Sequence, residues 1–170
     1  NNGATVFVTT LNTGDVTVVK AVDDLESEGG IVIAGTETPL AKFKFTSANE
    51  GMRIDDIKFY VTNSATANAT STGTADEVST IKLFDGATQI GSTAGYPVQN
   101  TGSDAGAVVV QTLGWNVGKN EERILTVKGV IQGIDINSVN QADSGASVYV
   151  QVATTTGFKA VGASANDTAP

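Results

Sequence analysis

The stretch LAKFKFTSANEGMRIDDIKFYV, residues 40 to 61, contains two apolar segments separated by a short polar one. In the first segment, Ala41, Phe43 and Phe45 alternate with Lys42 and Lys44. A period of two is that of a β-strand with one face buried and the other in water. The segment therefore predicts a strand over Leu40–Ser47 that faces a core on one side.

The second segment, MRIDDIKFYV, changes phase in its middle. Its apolar residues fall into two sets of opposite parity, Met52 and Ile54 in the first and Ile57, Phe59 and Val61 in the second. A regular strand would place these sets on opposite faces, whereas a β-bulge lets both face the core. We therefore predict a strand over Met52–Thr62 with a bulge near Asp55-Asp56.

The rest of the chain has the same character. FDGATQIG is typical of a hairpin, with Asp85-Gly86 at the positive-φ positions of a type I′ turn or, as an alternative, a type I turn with a bulge. No segment has apolar residues at helical spacing over ten positions, so we predict no long helix. The other predicted strands are Thr5–Thr10, Asp15–Val22, Ile31–Ile33, Glu77–Phe84, Thr88–Gly91, Ala107–Thr112, Arg123–Ile131, Ala146–Ala153 and Phe158–Val161.

Composition narrows the classes of function. The 170 residues fit one domain, and the formal charge of −8 opposes binding to nucleic acid or to an anionic membrane surface. No cysteine or histidine is present, which removes disulfides, thiolate nucleophiles and the commonest general base and metal ligand. No apolar run approaches the roughly 20 residues that cross a bilayer. The composition is typical of an exported β-protein.

Three segments carry a resemblance to a known class of domain: LAKFKFTSANEGMRIDDIKFYV (40–61), VSTIKLFDGATQIGST (78–93) and LGWNVGKNEERILTVKGVI (113–131). Together they resemble the immunoglobulin-like β-sandwich modules of bacterial and archaeal cell-surface and surface-layer proteins. In such modules, alternating Phe residues, an LFDG-type hairpin and an LTVK-type strand follow in this order. The chain departs from the pattern in its long 62–77 loop and at Lys119–Glu122. The resemblance implies a structural or adhesive role without catalytic residues.

The N-terminal segment ATVFVTT, residues 4 to 10, raises the question of what it pairs with. Val6 and Val8 share one parity and Phe7 and Leu11 the other, so the strand is apolar on both faces and unsuited to a solvated edge. One interpretation is a hairpin with Asp15–Val22 in the same sheet. The other is donation to a neighbouring subunit, because the segment resembles the donor strands of extracellular prokaryotic fibre subunits.

Acidic clusters provide candidate calcium ligands, since calcium takes six to eight oxygen ligands. The residues are Asp23 and Asp24 with Glu26 and Glu28, and Asp135 and Asp143 with Asn137 and Asn140. Neither cluster has the spacing of a calcium-binding loop, and solvated acidic loops are the alternative. Asn68-Ala69-Thr70 and Asn166-Asp167-Thr168 fit the N-glycosylation pattern, and Asn68 is the better candidate because it lies in a predicted loop.

Two further features have a functional and a structural interpretation. Asp55 and Asp56 are adjacent carboxylates that could act as a glycosidase pair, but neighbours on a strand point to opposite faces, which favours a surface or bulge role. Trp115 could stack on a sugar, with the tyrosines Tyr60, Tyr96 and Tyr149 as the other candidates. Burial of Trp115 between two sheets is the alternative, which we favour.

Together these patterns predict an all-β, antiparallel, immunoglobulin-like sandwich of Greek-key or jelly-roll type, with about ten strands and no long helix. The expected organisation is an N-terminal strand segment (1–13), a sandwich domain (14–162) and a C-terminal tail (163–170). The expected function is a non-enzymatic building block of a filament or surface layer, joined to copies of itself by strand pairing. An adhesin or carbohydrate-binding module is the alternative. We expect an extracellular or cell-surface location after removal of an export signal, and no cofactor except calcium at the acidic clusters.

Overall fold

A computed structural model describes residues 14–21, 31–62, 77–91, 95–98, 106–134, 142, 144–153 and 157–163. These residues form eleven β-strands in two antiparallel sheets, and they contain no helix. The strands are β1 (Asp15–Lys20), β2 (Glu37–Ala48), β3 (Met52–Thr62), β4 (Val78–Asp85), β5 (Thr88–Ile90), β6 (Tyr96–Pro97), β7 (Ala107–Val110), β8 (Trp115–Val117), β9 (Glu122–Ile131), β10 (Tyr149–Val152) and β11 (Phe158–Gly162). The predicted all-β, sandwich-like architecture is confirmed.

Sheet 1 contains six strands in the order β1-β2-β9-β4-β5, with β6 also paired to β4. Its centre is the pairing of the long strands β2 and β9, which runs from Glu37 opposite Val130 to Thr46 opposite Glu122. The two ends of this strand order are β1 on one side and the short hairpin strand β5 on the other.

Sheet 2 is built around β3, which pairs with two short strands along each of its edges. On one edge lie β10, opposite residues 59–62, and β11, opposite residues 52–57. On the other edge lie β7, opposite residues 57–60, and β8, opposite residues 52–54. One long strand therefore holds four short ones in register.

The two sheets pack face to face through aromatic and branched side chains. Phe43 lies 5.8 Å from Phe59, and Phe45 makes edge-to-face contacts with Trp115 at 5.1 Å and Phe158 at 6.0 Å between ring centroids. The alternating residues of β2 thus meet sheet 2 as the period of two predicts. The core between the sheets contains the buried residues Phe43, Phe45, Ile57, Phe59, Leu83, Leu125 and Val127, and Val150 is partly buried against them.

The bulge in β3 is confirmed. On the paired strand β11, Lys159 lies opposite Asp56 and the next residue, Ala160, lies opposite Ile54, so Asp55 is the extra residue. The extra residue shifts the side-chain alternation by one position. Both parity sets of the sequence, Met52 and Ile54 as well as Ile57, Phe59 and Val61, are consequently buried.

The hairpin of β4 and β5 forms with a different turn from the type I′ expected. Asp85 pairs with Thr88, so the two loop residues are Gly86 and Ala87, and of these only Gly86 has a positive φ, of 59°. A positive φ at the first loop residue alone is the signature of a type II′ turn. Asp85 is therefore the last residue of β4 and not part of the turn, so its carboxylate can take part in contacts between the two sheets.

Three strand assignments differ from the prediction. Ile31–Ile33 is not a strand: Gly35, at φ 76°, turns the chain at the entrance to β2, and Ile31 and Ile33 are left 98% and 68% exposed. The short strands β6 and β8 were not predicted, because two or three residues give no measurable alternation. The predicted strand Thr5–Thr10 lies outside the described residues.

Candidate assembly interface

Most of the predicted site residues lie outside the described part of the chain. These are the intersubunit-strand residues Val6, Phe7, Val8 and Leu11, the calcium candidates Asp23, Asp24, Asp135 and Asp143, and the glycosylation candidate Asn68. The described ranges contain no group of three acidic residues placed to hold a metal ion. Within the same ranges, no helix that could span a bilayer is found.

Strand β1 forms one lateral edge of sheet 1. The Ala21 N–H donates to the Lys42 carbonyl at 3.0 Å, and bonded pairs alternate along an antiparallel ladder. The pairs that include Val16, Val18 and Lys20 are therefore the non-bonded ones. The backbone N–H and C=O groups of these three β1 residues point away from β2. Ser47 of β2, which lies opposite Val16, is consistent with this alternation. Its N–H points away from β1 and donates to the Glu121 carbonyl. No other strand of the described residues lies along this edge.

At the opposite side of sheet 1, a polar cluster joins the two sheets. Asp85, at the end of β4, accepts a hydrogen bond from the Trp115 indole Nε1 at 3.1 Å and forms a salt bridge with Arg123 of β9. Arg123 also donates from Nη1 to the Asn116 carbonyl at 2.7 Å, and its guanidinium lies 5.7 Å from the Trp115 ring centroid. One carboxylate and one guanidinium thus tie β4 and β9 of sheet 1 to β8 of sheet 2.

This cluster is the wall of a cleft of about 420 Å³ between the β4–β5 hairpin and the start of β8, here called the β5–β8 cleft. Its apolar lining is Ile90, Leu113 and Trp115, of which Ile90 and Leu113 are partly exposed and pack against the core. Its polar lining comes from Asp85, Thr88, Gln89, Asn116 and Arg123. Partly exposed apolar side chains that pack against the core therefore border this opening between the two sheets.

Gly91 allows the chain to pass close to Tyr96 at the rim of the cleft. Gly91, which follows β5, has φ 89°, a conformation that residues with a Cβ rarely adopt. A Cβ at this position would collide with the hydroxyl of Tyr96. The chain can therefore turn closely past Tyr96 at the end of β5 only with glycine here.

Trp115 is a core residue and not a sugar platform. Only 4% of it is exposed, and its ring is in contact with Phe45 of the facing sheet and with Arg123. The burial between sheets that the sequence favoured is confirmed. Of the three tyrosines considered with it, Tyr60 is buried, Tyr96 is partly buried and Tyr149 is exposed, and they lie on different strands.

Asp55 and Asp56 have separate partners at the β3 bulge. Asp55 Oδ1 accepts a hydrogen bond from Arg53 Nε at 2.7 Å, and this bond lowers the pKa of the carboxyl below its ordinary value. Asp56 Oδ1 accepts from the Thr112 N–H at 3.1 Å, in the connection between β7 and β8. The pair is thus engaged in holding the bulge and the adjacent loop, as the bulge interpretation expects.

The Asp85–Arg123 pair was not anticipated, although the sequence contains a signal for it. Arg123 has the same parity as Leu125 and Val127, both of which are buried, so its side chain starts on the core side of β9. A cation on a core-facing position needs an acidic partner. Asp85 was interpreted only as a turn residue, and its role as that partner depends on the pairing of β4 with β9.

No family is identified for the chain, because no protein-family model matches it and comparison with curated proteins gives no significant match.

Proposed function

We propose that this chain is a structural building block of an extracellular filament or surface layer, and that copies are joined by β-strand pairing through the N-terminal strand. The resemblance of residues 40–61, 78–93 and 113–131 to immunoglobulin-like modules of prokaryotic cell-surface proteins supports this role. The two packed antiparallel sheets are compatible with that resemblance.

One observation carries the proposal: sheet 1 has two unlike lateral edges. Its strand order begins with β1, six residues long, and ends with β5, three residues long and beside the β5–β8 cleft. Four strand spacings separate these edges, about 19 Å at the usual distance between paired strands. The N-terminal segment precedes β1, so it starts from one edge, while the cleft lies at the other. A contact between unlike edges of two copies is heterologous, which generates open chains when the rotation does not close.

The interior of the module supports a mechanical role. Large side chains from both sheets are fully buried, among them Phe45, Phe59, Ile54, Ile57, Leu83 and Leu125. Burial of each such side chain contributes about 1.5 to 3 kcal/mol relative to exposure. A sandwich packed in this way is stiff without disulfides, none of which this cysteine-free chain can form.

Two charge substitutions in the N-terminal strand test the proposal. Val8→Asp places a charge on a predicted apolar face of the strand, whereas Thr10→Asp adds the same charge at a polar position of the same parity. Burial of an unpaired carboxylate is costly, so Val8→Asp should abolish self-association while Thr10→Asp retains it. Light scattering at matched concentrations measures the difference. Equal assembly of both variants, or monomers from the unmodified chain, would refute strand-mediated joining.

A further inference from the structure

We infer that the edge of sheet 2 formed by β10 and β11 receives the N-terminal segment of a second copy of this chain. The inference rests on the proposed function and names the surface to which the joining strand binds. The incoming strand lies opposite β1 of sheet 1 and runs antiparallel to β10 and β11.

The outer edge of β10 presents backbone groups that pair with no other described strand. The Ala153 N–H donates to the Lys58 carbonyl at 3.0 Å, which continues the pairing of β10 with β3. Because bonded pairs alternate along an antiparallel ladder, Val150 and Val152 occupy non-bonded positions. Their N–H and C=O groups therefore point away from β3, towards the outside of sheet 2.

The outer edge of β11 continues this row of backbone groups. The Ala163 N–H donates to the Gly51 carbonyl at 2.8 Å, in register with the pairing of β11 with β3. The same alternation places Ala160 and Gly162 at non-bonded positions, with their backbone groups directed outward. Within the described residues, β3 is the neighbour of both β10 and β11 and no strand lies on their other side, so a further strand can pair along both.

Sheet 1 extends beyond sheet 2 on this side of the sandwich. Phe45 of β2 contacts Phe158 of β11 with 6.0 Å between ring centroids, so β2 lies across from β11. Strand β1 is the next strand outward in sheet 1, and in the described part of the chain no strand of sheet 2 lies outside β11. The core-facing residues of β1, Val16 and Val18, are consequently only partly buried. A strand added beside β10 and β11 would face β1 and cover them.

The side chains along this side favour an apolar and uncharged occupant. Covering apolar surface contributes about 25 cal/mol per Å². Residues 1–13 contain no Asp, Glu, Lys or Arg, so the N-terminal segment adds branched and aromatic side chains without burying an unpaired charge. The side chains that are partly buried against the core here are Val16, Val18, Val150, Val152, Phe158 and Ala160.

The N-terminal segment leaves the module at the end where β11 finishes. The Gly14 N–H donates to Glu50 Oε1 at 3.1 Å, and a Cβ on Gly162 would lie 2.9 Å from the same oxygen. Residues 1–13 precede Gly14, and an extended segment of this length spans about 43 Å. This exceeds the length of β2, which with 12 residues is the longest strand in the described ranges. The segment can therefore reach along the whole side of a neighbouring module.

The direction of the segment indicates that the partner is a second copy. Strand β1 runs away from this end of the module, whereas β11 runs towards it and ends with Gly162 opposite Met52. A segment that continues β1 straight upstream enters the next copy from its opposite end, antiparallel to β10 and β11. Pairing with β10 and β11 of its own chain would require the segment to fold back and run parallel to them. Antiparallel pairing is the more stable per residue, and it is the arrangement of the paired strands described here.

Each copy then donates a strand beyond one end and receives a strand along its β10–β11 edge. Donor and acceptor are different surfaces, so the contact is heterologous and assembly proceeds head to tail. A further copy can bind at the free acceptor edge of the last one, which keeps the assembly open.

Cross-linking of engineered cysteines tests this direction, because the natural chain has no cysteine. Thr10→Cys marks the end of the segment nearest its own module, and Tyr149→Cys and Lys159→Cys mark two exposed positions of the acceptor edge. Tyr149 lies opposite Thr62 and Lys159 opposite Asp56, which places them about 20 Å apart along β3. With a short bis-maleimide cross-linker, mixing Thr10→Cys with Tyr149→Cys should give at least tenfold more mixed dimer than mixing it with Lys159→Cys. Mass spectrometry of the linked peptides identifies the mixed dimer.

Proline substitutions provide an independent test in the assembled protein. Val152→Pro removes an outward N–H of β10, at a position where an edge strand tolerates proline. It should reduce the assembled fraction at least tenfold, whereas Val152→Thr, which keeps the N–H, should assemble as the natural chain does. Val18→Pro removes an outward N–H from β1 and should retain assembly. Circular dichroism shows whether each variant is folded, and light scattering measures the assembled fraction.

Three results would overturn the assignment while leaving strand-mediated joining intact. The first is equal or stronger cross-linking of Thr10→Cys to Lys159→Cys, and the second is a cross-link within one chain of a Thr10→Cys, Tyr149→Cys double variant. The third is loss of assembly on Val18→Pro but not on Val152→Pro. Absence of assembly in the unmodified chain would instead refute the proposed function itself, so the two failures are distinguishable.

Discussion

At the scale of single residues, Arg123 and Asp85 show how a polar pair closes one side of the sandwich. The side chains are 26% and 19% exposed, and the pair connects the two sheets through the Trp115 indole and the Asn116 carbonyl. Removal of one partner leaves the charge of the other partly buried and without an ion pair. The free energy of folding lost in this way is larger than the free energy that the intact pair contributes relative to two apolar residues.

Arg123→Met should therefore destabilise the protein by about 2 kcal/mol. Urea unfolding followed by the fluorescence of Trp115 measures the change, since Trp115 is the chain's sole tryptophan. Lys44→Met is the control: it breaks the more exposed Lys44–Glu122 pair and should cost less than about 1 kcal/mol. Equal effects of the two substitutions would show that the Asp85–Arg123 pair is no more than a surface contact.

Glu37 makes stability depend on pH. The Lys82 Nζ donates to Glu37 Oε2 at 2.6 Å, and Lys128 lies 3.6 Å from Oε1. The hydrogen bond from Lys82, with the charges of both lysines, lowers the pKa of Glu37 below its ordinary value. A carboxyl with a lowered pKa in the folded state stabilises the fold above the unfolded-state pKa. This contribution is lost as the pH falls through the folded-state pKa.

We expect Glu37→Gln to reduce stability at neutral pH and to reduce the loss of stability on acidification. The measurement is the urea midpoint at about pH 7 and about pH 3, for the natural chain and the variant. Glu122→Gln, which removes a more exposed carboxylate on the neighbouring strand, is the matched control for the loss of one surface charge. A Glu37→Gln variant with an unchanged difference between the two pH values would contradict this role.

At the scale of elements, β3 depends on its extra residue. Asp55 has no partner of its own in the register with β11, and it sets the phase of Met52 and Ile54 relative to Ile57. Deletion of Asp55 would restore regular alternation and turn one apolar set away from the core.

Deletion of Asp55 should therefore abolish the cooperative unfolding transition. Asp55→Asn keeps the number of residues, weakens the partly buried contact with Arg53, and should remain folded. Circular dichroism with thermal unfolding compares the two. A deletion variant that unfolds cooperatively near the natural midpoint would show that β3 tolerates either register.

The elements also show how much the sequence could reveal. The bulge and the long strands β2, β3 and β9 were predictable because each contains several alternating apolar residues, whose parity is a local property. Residues 31–33 have a high β-propensity but form no strand. Whether this segment pairs with the sheet is decided by the turn at Gly35 and not by local propensity. The short strand β8 depends on pairing with β3, and the Asp85–Arg123 pair on pairing of β4 with β9. Neither of these can be inferred from residues close in sequence.

At the scale of the whole molecule, the central feature is the difference between the two lateral edges of sheet 1. The β1 edge follows the N-terminal segment in sequence, and the β5 edge borders the β5–β8 cleft. The lining of this cleft is partly apolar, and its charged side chains Asp85 and Arg123 form an ion pair. Symmetric dimers use the same surface on both partners, whereas these edges differ in length and in side chains. We therefore expect open-ended assemblies and not closed dimers.

Negative-stain electron microscopy of the full chain and of the chain without residues 1–13, at matched concentration, tests whether the N-terminal strand joins copies of the protein. Both are examined with calcium and with a chelator, so that an effect of metal is separated from that of the strand. Joining through the N-terminal strand predicts filaments or sheets from the full chain and monodisperse particles from the shortened one. Monodisperse particles from both chains, or equal assemblies from both, would contradict it.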